Sequence, residues 1–186
     1  YRRDRFLAWL SGRLKDRTPY DQIVKSMISE TGVPTDRAAV NFVVSSFAND
    51  EFDPNKLAGR TARAFLGQRI DCAQCHDHPF AHWKKDEFAG LAACYSQLAL
   101  TPVGIVDRPP REGDKKMEEP SMVDLTKEKP RVPFSPEWFP SEGAPRERLA
   151  AWITHPQNKR FERAIANRVW GLMFGRPYFH DRPVDD

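Results

Sequence analysis

The sequence contains few of the residues that define several large protein classes. It has 3 cysteines in 186 residues, which is too few for a disulfide framework. No apolar run approaches the roughly 20 residues that a membrane-spanning helix needs. The net charge is only +3 and the two signs are interspersed, so the dense basic surface typical of nucleic-acid binding is not expected. With 40% hydrophobic and 30% charged residues, the chain has the composition of a globular protein.

Two of the three cysteines form the most specific pattern in the chain. Cys72, Cys75 and His76 make up a Cys-x-x-Cys-His sequence, which is the attachment pattern of c-type haem. The two sulfurs can add to the two vinyl groups of one porphyrin, and the histidine then reaches the iron as its proximal ligand. We therefore expect covalently bound haem c at these residues. Cys94, the remaining cysteine, is expected to be a small buried residue on a helix.

The sequence leaves the other ligands of the metal open. His78 is too close to His76 to reach the opposite face of the haem, so its expected role is a hydrogen bond beside the iron ligand or support of the loop. A methionine at the sixth position would suit electron transfer, whereas an open position would suit ligand binding or peroxide chemistry. The candidates for further metal ligands are His78, His82, His155 and His180. The candidates for the sixth ligand of the haem iron are His82, His155, His180, Met117, Met122 and Met173.

Two alternatives to haem fit the same residues. Cys72 and Cys75, with two of His76, His78 and His82, could surround a zinc ion tetrahedrally. The residues could also pack without any cofactor, with the thiols reduced or joined. The sequence leaves both alternatives open.

Three acidic residues near the motif are expected to cap a helix around Lys84 rather than to act as an acid–base pair. Nothing in the sequence places two carboxylates at a separation useful for hydrolysis, so a hydrolase is not expected. The acidic residues are Asp77, Asp86 and Glu87.

Apolar residues at helical spacing predict a mainly α fold, with the Cys-x-x-Cys-His motif between two helices. Thr18 and Asp21 predict a capping box at the start of the second helix. A third helix is predicted from Asp36. Asp53, which precedes a proline, predicts the N-cap of the fourth helix, and a fifth helix is expected over residues 83–98.

The middle of the chain has a different character. Residues 101–145 are rich in proline and charge, which predicts a long loop, with short strands expected at 103–106 and 132–134. Helical periodicity returns after this loop and ends at Gly175, a natural helix stop. We therefore divide the chain into a helical domain with the motif (1–100), a Pro-rich loop or linker (101–145) and the helical start of a following domain (146–186).

Two stretches resemble known families. A resemblance to the domain of unknown function 1549, also called the planctomycete cytochrome-like domain, is carried by LAGRTARAFLGQRIDCAQCHDHPFAHWKKDEFAGLAACYS. A second resemblance, to the start of the domain of unknown function 1553, which commonly follows the first, is carried by RERLAAWITHPQNKRFERAIANRVWGLMFGR.

The first resemblance implies a c-type cytochrome-like, haem-binding domain that transfers electrons within a large exported bacterial protein, of which this chain is an internal piece. Together with the haem c motif, it implies a location in the periplasm or at the cell surface. The expected partners are a redox protein or other domains of the same protein, with no nucleic acid. The alternative is a structural or binding module of a planctomycete surface protein, with zinc or no metal. The resemblance assigns no enzymatic reaction, and a module of a redox enzyme is the variant expected if the sixth iron position is open.

Overall fold

The computed structural model describes residues 1–48, 51–77, 83–108, 125 and 127–179. Within these ranges the chain is mainly helical, which confirms the predicted class. The helices are α1 (Arg3–Lys15), α2 (Tyr20–Ser29), α3 (Asn41–Val44), α4 (Pro54–Thr61), α5 (Lys85–Ala93), α6 (Pro145–Ile153) and α7 (Lys159–Phe174). Two antiparallel hairpins pair β1 (Phe47–Ala48) with β2 (Glu51–Phe52) and β3 (Leu98–Thr101) with β4 (Gly104–Asp107). Shorter elements are a π turn (Ala62–Leu66) and 3₁₀ turns at Ala38–Val40, Asp71–Gln74 and Pro136–Trp138.

The turn between α1 and α2 belongs to the end of α1. Arg17 has a φ of 55°, and the amide of Thr18 donates to the carbonyl of Arg13 at 2.9 Å. This is the hydrogen-bond pattern of a Schellman motif, which closes a helix C-terminus. α2 then begins at Tyr20 without a side-chain hydrogen bond at its N-cap. The predicted capping box of Thr18 and Asp21 is therefore wrong, because Thr18 completes the preceding helix.

Other predicted helix ends are confirmed by local hydrogen bonds. The Asp53 carboxylate accepts the amide of Lys56 at 3.0 Å, and Pro54 is the first residue of α4. At the other end of the chain, Gly175 follows α7 in the left-handed conformation with a φ of 78°. In both cases the residue type suits its backbone position without help from distant residues.

The predicted third helix is wrong in its first turn. α3 begins at Asn41 rather than Asp36, because the fully buried Asn41 side chain donates to the carbonyls of Pro34 (2.9 Å) and Ala38 (3.1 Å). Its Oδ1 also accepts the amide of Arg2 at 2.7 Å. An asparagine that bonds to nearby carbonyls favours turns over helix, so the chain reaches α3 through a 3₁₀ turn.

The predicted bounds in the middle of the chain also change. The fifth helix ends at Ala93, since the chain then turns into β3. The strand predicted at 103–106 is β4, shifted by one residue. The strand predicted at 132–134 is absent, because Pro133 has no N–H to donate and the carbonyl of Phe134 accepts the indole N–H of Trp152 at 3.0 Å.

One hydrophobic core joins the two ends of the chain. α2 and α6 pack directly against each other, and both share that core with α4 and α5. The core thus contains residues from the predicted first and third parts, while the three-part division itself stays a prediction. In the parts of the chain described above, no helix is long and apolar enough to cross a membrane. Large side chains buried in this core are Ile23, Ile28, Leu57, Leu66, Ile70, Leu91, Leu149, Trp152 and Ile153.

A buried arginine fastens α6 to the end of α2 and to β4. Arg146 is fully buried, and its Nε and Nη2 donate to the two carboxylate oxygens of Asp107 at 2.7 and 2.6 Å. Its Nη1 donates to the carbonyls of Ile28 (2.7 Å) and Glu30 (3.3 Å), which lie at the end of α2. Because a planar guanidinium matches a carboxylate with two parallel bonds, the contact fixes both the distance and the direction of α6.

We expect Arg146→Met to lower the free energy of unfolding by about 3–5 kcal/mol, since it leaves the Asp107 carboxylate and two carbonyls without their donor. Lys25→Met is the matched control. Lys25 pairs with Asp21 at 3.3 Å on the exposed face of α2, so its loss should cost at most about 0.5 kcal/mol. Urea unfolding measures both, and similar costs for the two variants would contradict this assignment.

Two glycines meet where β4 begins. Gly104 has a φ of 102° and Gly32 a φ of 114°. The amide of Gly32 donates to the carbonyl of Ile105 at 2.8 Å, and the amide of Ile105 donates back at 2.9 Å. A Cβ added to Gly104 would lie 2.2 Å from the carbonyl carbon and oxygen of Gly32. The second hairpin is therefore closed against the chain after α2 by backbone contact.

We expect Gly104→Ala to destabilise the fold by about 2–4 kcal/mol, because the added methyl meets backbone atoms and the φ disfavours an L residue. Gly12→Ala is the control, since an added Cβ there meets nothing within 4 Å inside α1. It should stabilise the protein by up to about 1 kcal/mol. Thermal or urea unfolding would refute the contact if both substitutions shifted stability in the same direction.

Candidate functional site

The Cys-x-x-Cys-His motif lies on a short 3₁₀ turn between the π turn and α5. Cys72 is in the turn Asp71–Gln74, and Cys75 follows it directly in right-handed helical conformation. The two cysteines are thus three residues apart, one inside the turn and one at its end. Both are exposed and free, whereas Ala73 between them is fully buried. The backbone of the turn is thus anchored in the core while its two thiols face outward.

The imidazole of His76 is oriented by the backbone. Its Nδ1 lies 2.7 Å from the carbonyl oxygen of Asp77. A carbonyl can only accept, so Nδ1 carries the proton and the neutral ring keeps its lone pair on Nε2. Metal-binding histidines usually have this second hydrogen bond, which fixes the tautomer and the ring direction.

Asp77 also links the motif to α5. Its Oδ1 accepts the amide of Lys85 at 2.9 Å, and Glu87 accepts the amide of Lys84 at 2.9 Å. The expectation that these acidic residues cap a helix is therefore confirmed for Asp77 and Glu87. Asp86, the third of them, lies 3.6 Å from the guanidinium of Arg131. A carboxylate at a helix N-terminus is stabilised by the helix dipole, so Asp77 connects the end of the motif to the start of α5.

On the other side of the motif, Asp71 holds the turn against α4. Its Oδ2 lies 2.6 Å from Nη2 of Arg63, in the π turn. A Cβ added to Gly59 would lie only 2.5 Å from Oδ1 of Asp71, so the carboxylate approaches the backbone of α4 closely. This contact is not predicted from the sequence, in which the position of Asp71 directly before Cys72 is the only signal for it.

The other predicted ligands are placed differently. His155 stacks on Trp138, with ring centroids 4.8 Å apart, and its Nδ1 accepts the amide of Gln157 at 3.3 Å. An amide can only donate, so the proton of the neutral His155 ring is on Nε2, the reverse of His76. Met173 is exposed near the end of α7. The predictions for His78, His82, His180, Met117 and Met122 lie outside the described residues.

The described residues bring together no group of three His, Cys, Asp or Glu side chains that could hold a metal ion. The zinc alternative requires His78 or His82, and both lie outside those ranges. Covalent haem makes a different demand, because its sulfurs bond the porphyrin edge and only the imidazole bonds the metal. Two exposed thiols three residues apart, followed by a histidine with its lone pair on Nε2, meet that requirement.

Trp83, the first described residue after the motif region, is buried in an aromatic cluster. Its ring meets the edge of Phe134, which in turn lies 4.5 Å from the ring of Trp152. The guanidinium of Arg160 lies 4.9 Å from the Phe134 centroid, within cation–π range. These contacts hold the start of α5 against α6 and α7.

Cys94 differs from the two motif cysteines. Its side chain is buried at the end of α5, and its Sγ donates to the carbonyl of Gly90 at 3.6 Å. Burial raises the pKa of its thiol to about 12, because the thiolate would lose its hydration. The expectation of a small buried residue is confirmed, and the thiol is chemically inert in the folded protein.

Comparison with protein families agrees with both resemblances. Residues 1–99 match the model of a protein of unknown function, DUF1549, which covers more than half of the chain. The chain belongs to the DUF1549 family. Residues 145–184 match a second protein of unknown function, DUF1553. No curated protein and no solved structure matches the chain. The DUF1549 segment contains α1 to α5 with the whole motif, and the DUF1553 segment contains α6 and α7.

We expect iodoacetamide at pH 8 to alkylate Cys72 and Cys75 of the folded protein and to leave Cys94 unmodified. A thiol with a pKa of about 12 is a thiolate in only roughly one molecule in ten thousand at that pH, and this one is also buried. Peptide mass spectrometry measures the three rates, with a denatured sample as the control in which all three react. Native labelling of Cys94 at the rate of Cys72 would contradict the assignment.

Proposed function

We propose that this chain is a c-type cytochrome-like module that binds one haem covalently through Cys72 and Cys75, with His76 as the proximal iron ligand. The observation that carries the proposal is the combination at the 3₁₀ turn: two exposed free thiols three residues apart, followed directly by an imidazole whose Nε2 carries the lone pair. Each of these features is needed for thioether attachment with axial ligation by the next residue.

The surrounding residues give the three groups fixed positions. Ala73 and Ile70 are fully buried, so the backbone of the turn is held by the core while the thiols stay accessible. Each thiol would add across one vinyl group, with the sulfur bonding carbon and its proton passing to the neighbouring carbon, so no oxidant is required. Asp77 would hold the His76 ring through its carbonyl and raise the basicity of Nε2.

Bound haem supplies one-electron chemistry at its iron. We propose that the module exchanges electrons with a redox partner protein or with other domains of the same exported protein, in the periplasm or at the cell surface. The position of the DUF1553 segment supports a joint role, since α6 shares one core with the DUF1549 segment.

Expression with a c-type haem-attachment system tests the proposal. The protein should gain the mass of one haem and a Soret band that survives acid–acetone extraction. Changing both Cys72 and Cys75 to alanine should abolish the covalent haem, whereas Cys94→Ala should retain it. His76→Ala should change the Soret band and lower the yield, because the proximal ligand is lost. His155→Ala is the matched control, since its tautomer presents a protonated Nε2.

A wild-type protein that leaves the attachment system with unmodified thiols would refute the haem proposal. Stoichiometric zinc in that protein, with loss of structure on chelation, would instead support the structural module.

A further inference from the structure

The turn that carries the haem-attachment residues is supported from the far end of the chain. Arg168, on α7, donates from Nη1 to the carbonyl of Ala64 at 3.1 Å and from Nη2 to the carbonyl of Arg63 at 3.3 Å. α7 packs against the π turn that contains both carbonyls. Carbonyls at a helix C-terminus lack intrahelical donors and carry partial negative charge. A guanidinium supplies both the missing N–H donors and a positive charge.

The π turn is the part of the chain that sets the direction of the motif. It follows α4 without a break and ends at Gly67, which is left-handed with a φ of 61°. π turns are rare and often occur at functional sites, and their wider hydrogen-bond ring is less favourable than that of an α-helix. Contacts from outside the turn therefore matter for its geometry, and Arg168 provides two of them.

From the π turn, a side chain continues the connection to the motif. Arg63, whose carbonyl accepts from Arg168, places its own guanidinium 2.6 Å from the carboxylate of Asp71. Asp71 is the first residue of the 3₁₀ turn and precedes Cys72. The same carboxylate also packs against Gly59, and any side chain at position 59 would occupy the space that the carboxylate fills. One continuous path thus leads from α7 to the first cysteine.

We propose that Arg168 is a positioning residue for the haem-attachment turn. By holding the carbonyls of Arg63 and Ala64, it directs the Arg63 side chain toward Asp71 and so fixes the orientation of Cys72. The inference rests on the proposed function, and it gives the DUF1553 segment a part in the site of the DUF1549 segment.

The test compares variants of the full chain by two independent measurements. Amide hydrogen exchange of residues 71–76 is measured without haem, and the yield of covalent haem is measured after expression with the attachment system. Arg168→Ala should speed exchange at Ala73, whose amide donates to the carbonyl of Ile70, by roughly tenfold. It should also lower the haem yield severalfold. Arg163→Ala, at an exposed arginine of the same helix, should change neither.

Two further variants separate positioning from a general loss of structure. Arg168→Lys should give an intermediate effect, since lysine keeps the charge but not the planar fork. If Arg168 acts through Asp71, the amides of residues 71–76 in the double variant Arg168→Ala, Asp71→Asn should exchange no faster than in the faster of the two single variants. Alkylation of Cys94 reports unfolding in every sample and should stay slow.

Unchanged exchange in Arg168→Ala, with Cys94 protected, would overturn the proposal, and so would additive effects in the double variant. If Arg168→Ala exposes Cys94, the same comparison is made with Arg168→Lys, where faster exchange supports the proposal and unchanged exchange overturns it. A wild-type protein without covalent haem counts against the proposed function alone. The exchange rates still decide whether Arg168 positions the turn.

Discussion

The structure depends on the buried guanidinium of Arg146. A charge removed from water is tolerated only when hydrogen-bond partners surround it, so Asp107 and the carbonyls of Ile28 and Glu30 must meet at one point. This requirement brings together the end of α2, the end of β4 and the start of α6. The direction of α6 follows from it, and α7 begins only a few residues later.

This constraint explains how the DUF1553 segment reaches the motif. α6 is held by Arg146, and α7 then runs along the π turn with Arg168 against its carbonyls. The two family segments thus meet where Arg146 bonds the carbonyls at the end of α2, and they meet again where Arg168 bonds the carbonyls of the π turn beside the motif. A candidate site whose motif residues all lie in residues 1–99 is consequently supported by residues beyond 145.

The features that the sequence predicted correctly depend on residues close to one another in the chain. Asp53 caps α4 three residues on, and Asp77 caps α5 eight residues on. Some of the features that it missed are local, such as the Schellman motif that uses the amide of Thr18, whereas others are long-range. Asn41 bonds to an amide 39 residues away, and Arg168 bonds to a carbonyl 104 residues away. No spacing rule identifies such a pair, because its partners meet only once the core has formed.

The two described histidines show why residue type alone could not select the ligand. His76 and His155 each have Nδ1 hydrogen-bonded to the backbone, but His76 faces a carbonyl and His155 faces an amide. The carbonyl requires a proton on Nδ1 and leaves Nε2 able to bind a metal, whereas the amide requires the opposite tautomer. The local turn thus decides which ring is competent as a ligand. The tautomer of His76 therefore favours it as a candidate ligand independently of the Cys-x-x-Cys-His pattern.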